Sequence, residues 1–204
     1  MERIYIGIDP GLTGAVAVIH ASGAVNLFDC PTYTVERPKK KGQKKAGIRT
    51  LYDTQGMTDI LRALMATFWN PEETCPLIVG LEHQQPMPSN EKFGKQGSLQ
   101  TFSLGYGYGI WVGILATLGL PYELVRPATW KPAMTKGLPK EKEAARMRAN
   151  QLFPQARGWL GRKKDHNRAE ALLMAEWLKR QHGAPTRGDA TLDAEQDAIE
   201  GSPF

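Results

Sequence analysis

Short apolar runs alternate with longer amphipathic segments along the chain. The pattern predicts five strands, at residues 3–9, 14–20, 24–28, 77–82 and 121–125. The first three strands are separated by turn residues and predict an antiparallel meander. The fourth run (LIVGLE) is apolar throughout, which is typical of a parallel strand that is buried on both faces.

Helical periodicity or length predicts four helices, at residues 54–69, 98–118, 140–152 and 165–181. The first has apolar residues at every third or fourth position and ends before Pro71. The second contains glycines at positions 105, 107, 109 and 113, which predict a closely packed face. The order βββαβαβαα predicts an α/β fold, with a mixed five-stranded sheet and helices on both of its faces.

Composition places the chain among ordinary globular proteins, because 41% of its 204 residues are apolar and 23% are charged. No apolar run reaches the ~20 residues of a membrane helix, so no membrane partner is expected. Cys30 and Cys75 are isolated, which argues against a zinc ribbon or a disulfide framework. With no signal-peptide pattern at the N-terminus, a reducing, cytoplasmic location is expected.

The charge of +5 is unevenly distributed. Residues 37–49 hold seven basic residues and no acid, and residues 126–164 hold eleven basic residues against two acids. This segregation predicts a nucleic-acid partner, although a lysine-rich run such as 37–49 can also be a solvated surface. We expect one domain at 1–182, with 37–49 as a basic mobile loop, and an acidic flexible tail at 183–204.

Two carboxylates end apolar strands: Asp9 follows the first strand, and Glu82 closes the fourth. Strand ends at the carboxyl edge of an open α/β sheet are the usual place for a functional site. If the two strands are neighbours, the acids repel each other and a divalent cation would relieve the repulsion. The alternative is that Asp9 caps the Pro10-Gly11 turn and Glu82 is solvated.

A third polar group opens the last predicted helix. His166 and Glu170 are four residues apart and share one face, where they could supply a base and a metal ligand. Asp165 stands about 140° away from Glu170 around the helix, at the expected N-cap position. The alternative is an ordinary polar helix start.

These residues carry a resemblance to a known family. The set IGIDPG, VGLE, the glycine-bearing segment LQTFSLG, RPATWK and KKDHNRAEALL occurs in this order over roughly residues 3–180. It resembles the RuvC-type Holliday junction resolvases of the RNase H-like nuclease superfamily, and looks closest to their phage-encoded and chloroplast branches. The resemblance implies an RNase H-like fold, and the cytoplasm of a host cell if the chain is phage-encoded.

The resemblance also implies a Mg²⁺-dependent endonuclease, with Mn²⁺ as a substitute, that acts as a homodimer on branched DNA. It would nick a four-way junction symmetrically and leave 5′-phosphate and 3′-hydroxyl ends. Asp9 would bridge two metal ions and Glu82 would hold one of them. The glycine-rich second helix is the candidate dimer face on family analogy. Four aromatic residues could wedge the junction open (Phe93, Phe102, Tyr106, Tyr108), although such residues more often lie in the core.

Carried over to the rest of this sequence, the resemblance places Glu170 at the position of the family's closing aspartate. His166 would complete the catalytic and metal-binding set, and Lys131 would lie near the scissile phosphate. Many bacterial members have an Asp-x-x-Asp spacing, which would place the first aspartate at Asn167 in this sequence. An asparagine cannot act as a base, so Asp165 remains an alternative to His166. The predicted DNA-binding residues are Lys39, Lys40, Lys41, Arg126, Lys131, Lys140, Lys142, Lys163 and Lys164.

Three other functions share features with this sequence. The GIDPG motif also resembles the phosphate strand of actin-like sugar kinases, which need roughly twice this length. Another RNase H-like nuclease that acts on flaps or forks would share the same acids. A non-catalytic junction-binding module would not need Asp9, Glu82 and a closing carboxylate.

Overall fold

The computed structural model describes residues 2–38, 47–85, 98–139 and 143–183. Its strands are β1 (Ile4–Ile8), β2 (Ala15–Ile19), β3 (Val25–Asp29), β4 (Thr32–Arg37), β5 (Gly47–Tyr52), β6 (Leu77–Glu82) and β7 (Tyr122–Val125). Its α-helices are α1 (Thr54–Phe68), α2 (Ser98–Thr117), α3 (Pro127–Thr135), α4 (Ala144–Leu152) and α5 (His166–His182). Two short 3-10 helices, Pro154–Trp159 and Lys163–Asp165, connect α4 to α5.

The main sheet has five strands in the order β3-β2-β1-β6-β7. β1 pairs antiparallel with β2 and parallel with β6, and β6 pairs parallel with β7. Every residue of β1 and β2 is buried, because helices cover both faces of these central strands. The predicted mixed five-stranded α/β sheet is confirmed.

Two hydrophobic clusters form the core, one on each face of the sheet. On one face α5 packs with α3 and α4, and on the other face α1 and α2 contribute Met57, Leu61, Trp111 and Leu115. The contact between α5 and β1 is made by backbone. A Cβ atom at Gly7 would lie 2.2 Å from the carbonyl oxygen of Ala171 and 2.8 Å from the nitrogen of Ala175.

The interpretation of residues 37–49 as a mobile loop is wrong at both ends of that segment. Arg37 closes β4 and Arg49 lies in β5, and these strands pair as an antiparallel hairpin. Most residues of the hairpin are exposed, so its sequence lacks the alternation of apolar and polar positions that marks a half-buried strand. The predicted contacts of Lys39, Lys40 and Lys41 fall outside the described residues.

The hairpin is joined to the body at its base. The Tyr52 hydroxyl donates a hydrogen bond to the carbonyl oxygen of Pro10 at 3.1 Å. Gly107 of α2 faces this hydroxyl so closely that a Cβ atom there would lie 2.0 Å from it. Tyr52 therefore connects the hairpin and α2 to the turn that follows β1.

Helix α3 was missed by the sequence pattern, which gives only a strand ending at 125. Pro127 is the first residue of α3, where its fixed φ suits a helix start, although Pro132 also lies inside the helix. The predicted fourth strand matches β6, and the other element ends agree within three residues apart from α4, which begins at Ala144. Positions 140–142 and the tail from 184 onwards lie outside the described part. Of the helices that are described, none is both long and apolar enough to cross a bilayer.

Candidate active site

Asp9 lies directly after β1, at the carboxyl edge of the sheet. Its backbone N–H donates to the carbonyl of Ala15 at 2.9 Å, and its Oδ1 accepts from the N–H of Gly11 at 3.1 Å. Burial, followed by repulsion from Glu82, raises the pKa of Asp9 from 3.8 to about 7, against the lowering effect of the Gly11 hydrogen bond. Ionisation of the Asp9 carboxyl group is therefore less favourable in the folded protein than in water.

Glu82 closes β6, next to the β1 end that carries Asp9. Since Ile8 pairs with Leu81 in the parallel register, the two acids follow paired residues. Glu82 is only 6% exposed, and Gln84 donates to its Oε2 at 3.0 Å, whereas Oε1 is buried without a hydrogen bond among the residues described. Burial raises the pKa of Glu82, although Lys131 partly opposes the rise.

Lys131 of α3 lies between two of the acids. Its Nζ is 2.8 Å from Oε2 of Glu170 and 3.6 Å from Oε1 of Glu82. Burial alone would lower the pKa of Lys131, but attraction by these two carboxylates outweighs it, so the pKa is raised. The lysine is therefore charged and compensates part of the negative charge at the sheet edge.

Glu170 reaches this group from the first part of α5, which packs with α3 on the same face of the sheet. The helix start is tied to the turn after β1, because the amide of Asn167 donates to Oγ1 of Thr13 at 2.9 Å. Repulsion by Glu170 also contributes to the raised pKa of Asp9. Thus Asp9, Glu82, Glu170 and Lys131, all predicted from the sequence, form one electrostatic cluster.

Asp165 is directed away from the cluster. Its Oδ2 accepts from the backbone N–H of Arg162 at 2.8 Å, and its Oδ1 accepts from the Arg162 guanidinium at 2.9 Å. These hydrogen bonds hold the pKa of Asp165 below its usual range. The expectation that its side chain caps α5 is wrong: Asp165 is in the N-cap position, but its carboxylate makes no cap hydrogen bond and closes the preceding 3-10 turn instead.

His166 is half-buried at the start of α5, one helical turn before Glu170. Its Nδ1 lies 3.1 Å from the carbonyl oxygen of Lys163. That contact leaves Nε2 as the nitrogen available to a substrate or water. The shared helix face keeps His166 a candidate for the site, while the engaged carboxylate of Asp165 makes it the weaker alternative.

The cluster was tested for its fit to divalent cations. Within the described ranges, no three His, Cys, Asp or Glu side chains are close enough to hold one metal ion together. Two observations nevertheless fit cation binding: Oε1 of Glu82 is buried without a hydrogen bond, and burial and mutual repulsion raise the pKa of Asp9. Carboxylate oxygens are also the ligands that Mg²⁺ prefers. Asp9, Glu82 and Glu170 are therefore the residues that would have to draw closer together to hold a divalent cation.

A cleft of about 510 Å³ adjoins Lys131 and Glu170. Its walls come from α3, the start of α4 and the turn between them, including Trp130, Leu138 and Pro139. This cleft was not predicted from the sequence, because α3 itself was missed. Of the four side chains of the cluster, Lys131 and Glu170 line this cleft and are reached from it.

The predicted DNA-contacting residues divide into two groups. Arg126, Lys163 and Lys164 are exposed, as a phosphate contact requires, and Lys131 belongs to the acidic cluster. Lys140 and Lys142, like Lys39, Lys40 and Lys41, lie outside the residues described. Of the aromatic candidates, Phe102 is 69% and Tyr106 52% exposed, Tyr108 is half-buried, and Phe93 is not among the described positions.

The raised pKa of Asp9 predicts a pH-dependent change in stability. The folded state holds the proton up to about pH 7 and the unfolded state only to about 3.8, so ionisation of Asp9 progressively destabilises the fold between these values. In EDTA, Asp9→Asn should therefore unfold at a higher temperature than the wild type above pH 7, and the difference should vanish near pH 4. Thermal unfolding across this range measures it, with Asp59→Asn, at an exposed acid on α1, as the control. A pH-independent difference would contradict the burial of a charge at Asp9.

The chain was compared with known proteins. It is 29% identical over 177 residues to a protein named "Holliday junction resolvase MOC1, chloroplastic" from Chlamydomonas reinhardtii, which covers 83% of this chain. The chain spans 20% of the length of that relative. No protein-family model matches the chain. The similarity to Holliday junction resolvases that the motifs predicted is confirmed by this relative.

Solved structures were compared as well. A Thermus thermophilus RuvC in complex with a Holliday junction substrate aligns with a TM-score of 0.46 and 16% identity, over 88% of this chain and 96% of that one. A second Thermus thermophilus RuvC structure aligns with a TM-score of 0.43 and 19% identity, over the same shares of the two chains.

Proposed function

We propose that this chain is a RuvC-type Holliday junction resolvase, a nuclease that cuts four-way DNA junctions by divalent-metal-dependent hydrolysis. The observation that carries the proposal is the convergence of Asp9, Glu82 and Glu170 from β1, β6 and α5 around Lys131. The similarity to a curated junction resolvase supports the choice of substrate.

In this mechanism the three carboxylates would hold the divalent ions. Mg²⁺, when bound, supplies the Lewis acidity that activates a water molecule and stabilises the leaving 3′-oxygen. Burial of Asp9 and Glu82 favours a cation, because a cation relieves the cost of their charge. Metal binding should accordingly weaken as the pH falls below about 7, where Asp9 becomes protonated.

Lys131 and His166 act on the substrate and the water. Lys131 donates to Glu170 in the free protein, and its ammonium can turn to the scissile phosphate, where negative charge develops. Nδ1 of His166 contacts the carbonyl oxygen of Lys163, and the other ring nitrogen, Nε2, can accept a proton from the attacking water. The cleft beside Lys131 and Glu170 gives the DNA strand access to both side chains.

A cleavage assay with four substrates tests the proposal. Four-way junction, replication fork, flap and plain duplex of the same arm sequences are incubated with Mg²⁺, with Mn²⁺ or with EDTA. We expect paired nicks at symmetric positions on the junction, with 5′-phosphate and 3′-hydroxyl ends, and no cleavage in EDTA. Faster cutting of forks or flaps would make the chain a different RNase H-like nuclease, and binding without cutting would make it a junction-binding module.

Basic residues outside the cluster should contact phosphates. Neutralising Lys39, Lys40 and Lys41 together should lower the slope of log K against log salt by up to about three units, since each phosphate contact contributes roughly 0.9. Fluorescence titration of a labelled junction in EDTA at several salt concentrations measures the slope. An unchanged slope would show that these three lysines are solvated surface residues that do not contact the DNA.

We further propose that the protein acts as a homodimer through α2. Gly105, Gly109 and Gly113 recur at intervals of four and therefore share one helix face, and a Cβ atom at any of them would meet none of the described atoms within 4 Å. Exposed Phe102 lies on the same side, three residues before Gly105. A face of small residues lets two backbones approach closely, and a second copy gives the symmetric cuts that a four-way junction requires.

Gly109→Leu should therefore convert the dimer to a monomer while the fold survives, because leucine has the higher helix propensity and open space to occupy. Light scattering after size-exclusion chromatography gives the mass, and a circularised junction separates single from paired nicks. Gly158→Leu, at another glycine with open space, is the matched control for the mass measurement. A dimeric Gly109→Leu protein would place the dimer face elsewhere.

A further inference from the structure

A large aromatic side chain is exposed between α4 and α5. Trp159 ends the first 3-10 helix and is 49% exposed. Across positions 157–164, Leu160 is buried and the other seven residues are exposed. We define the basic ridge as Trp159 together with its exposed cationic neighbours Arg157, Lys163 and Lys164.

The ridge is held firmly in place. Leu160 is fully buried in the core, and the guanidinium of Arg146 donates to the carbonyl of Gly161 at 2.8 Å. Arg168 donates to the carbonyl oxygen of Trp159 itself at 3.2 Å. Because its backbone is fixed on both sides, the indole is presented to solvent rather than folded back into the core.

The charges of the ridge are available for a ligand. Nearby ion pairs engage Arg162 with Asp165 and Arg168 with Asp29, and none of the ion pairs in the described ranges includes Arg157, Lys163 or Lys164. Three cations around an exposed indole make a surface that complements a polyanion with flat, stackable groups. Nucleic acid has both properties.

The basic ridge lies on the catalytic side of the molecule. Lys163 and Lys164 come directly before α5, whose first two turns carry His166 and Glu170. The hydrogen bond from Asn167 to Thr13 places this helix start beside the turn after Asp9. A DNA strand in the site can therefore continue onto the ridge.

We infer that the basic ridge binds one DNA arm of the junction where that arm opens. Trp159 stacks on a base exposed at the branch point, and Arg157, Lys163 and Lys164 contact the phosphates that flank it. The inference rests on the proposed function for its substrate, and adds to it a base-stacking residue and the arm that this residue holds. Stacking on an aromatic side chain tolerates any base, so Trp159 would select for branch structure rather than for sequence.

Binding measurements without cleavage test this inference. Kd is measured in EDTA for a four-way junction and for a plain duplex with the same arm sequence. Trp159→Ala should weaken junction binding about tenfold and duplex binding less than twofold, whereas Trp159→Phe, which keeps an aromatic face, should stay within about threefold of the wild type on both. The double variant Lys163→Gln/Lys164→Gln should lower the salt slope by nearly two units.

The matched control is Arg62→Gln/Lys179→Gln, which removes the same charge from α1 and the far half of α5. A 2-aminopurine base at the branch should lose fluorescence on binding to the wild type and less on binding to Trp159→Ala. Unchanged junction affinity of Trp159→Ala, an equal loss on duplex, or an equal loss with Trp159→Phe would overturn the inference. Because no step requires cleavage, these results are independent of whether the protein proves to be a resolvase.

Discussion

Asp9→Asn and Glu82→Gln should each abolish junction cleavage in Mg²⁺ while junction binding survives. Each substitution removes one negative charge from the group that would hold the metal ions, but keeps a side chain of the same shape. Cleavage is followed on a labelled four-way junction, and binding by titration in EDTA. Asp9→Asn also keeps an oxygen that can accept from the N–H of Gly11, so the turn after β1 is preserved.

Two conservative variants control for charge loss elsewhere. Glu123→Gln changes a half-exposed acid on the neighbouring strand β7, and Asp59→Asn changes an exposed acid on α1. Both should cut at the wild-type rate. If either Asp9→Asn or Glu82→Gln retains near wild-type cleavage, that residue does not hold a metal ion that the reaction needs.

His166→Ala should lower the cleavage rate by about 10²–10⁴, the usual range for the loss of a general base. Asp165→Asn should leave cleavage nearly intact, because the carboxylate of Asp165 is engaged by Arg162 and does not face the acidic cluster. Single-turnover cleavage of the junction measures both effects. Added imidazole should partly restore the rate of His166→Ala and leave that of Asp165→Asn unchanged.

Asp165→Asn should instead lower the thermal stability. Asp165 is 4% exposed, and the substitution weakens its ion pair with Arg162. The hypothesis for His166 fails if His166→Ala cuts at the wild-type rate. An inactive, folded Asp165→Asn protein would show that its carboxylate turns toward the site when DNA binds.

The positions of Asp9 and Glu82 at one edge of the sheet could be predicted from the sequence, because an apolar run shows where a buried strand ends. Asp9 and Glu82 follow apolar runs, and parallel pairing of these runs then brings the acids to one edge. Glu170 was predicted by its position on an amphipathic helix within a family resemblance. The relative orientation of Asp165 and His166 followed from helical spacing, but the partner of Asp165 did not, since Arg162 reaches it through a 3-10 turn without a periodic pattern.

Two parts of the structure were beyond the sequence pattern. The residues of the β4–β5 hairpin are mostly exposed, so its sequence does not show the alternation of apolar and polar positions by which a strand is predicted. Helix α3 is nine residues long and contains two prolines, which conceal its helical character. The resemblance places Lys131 near the substrate phosphate, and in the free protein its ammonium bridges Glu82 and Glu170, a contact that no sequence pattern indicates.

Gly7 has no side chain, yet the distance between β1 and α5 at the site depends on it. Since the backbone of α5 lies directly on Gly7, the separation between Asp9, which follows β1, and Glu170 on α5 depends on contact between two main chains. Side chains between a strand and a helix can shift rotamers to absorb a change, but two touching backbones cannot. A single added methyl group at this position would displace the helix as a unit, and the proposed cleavage would be lost through distance, with all four side chains of the cluster still present.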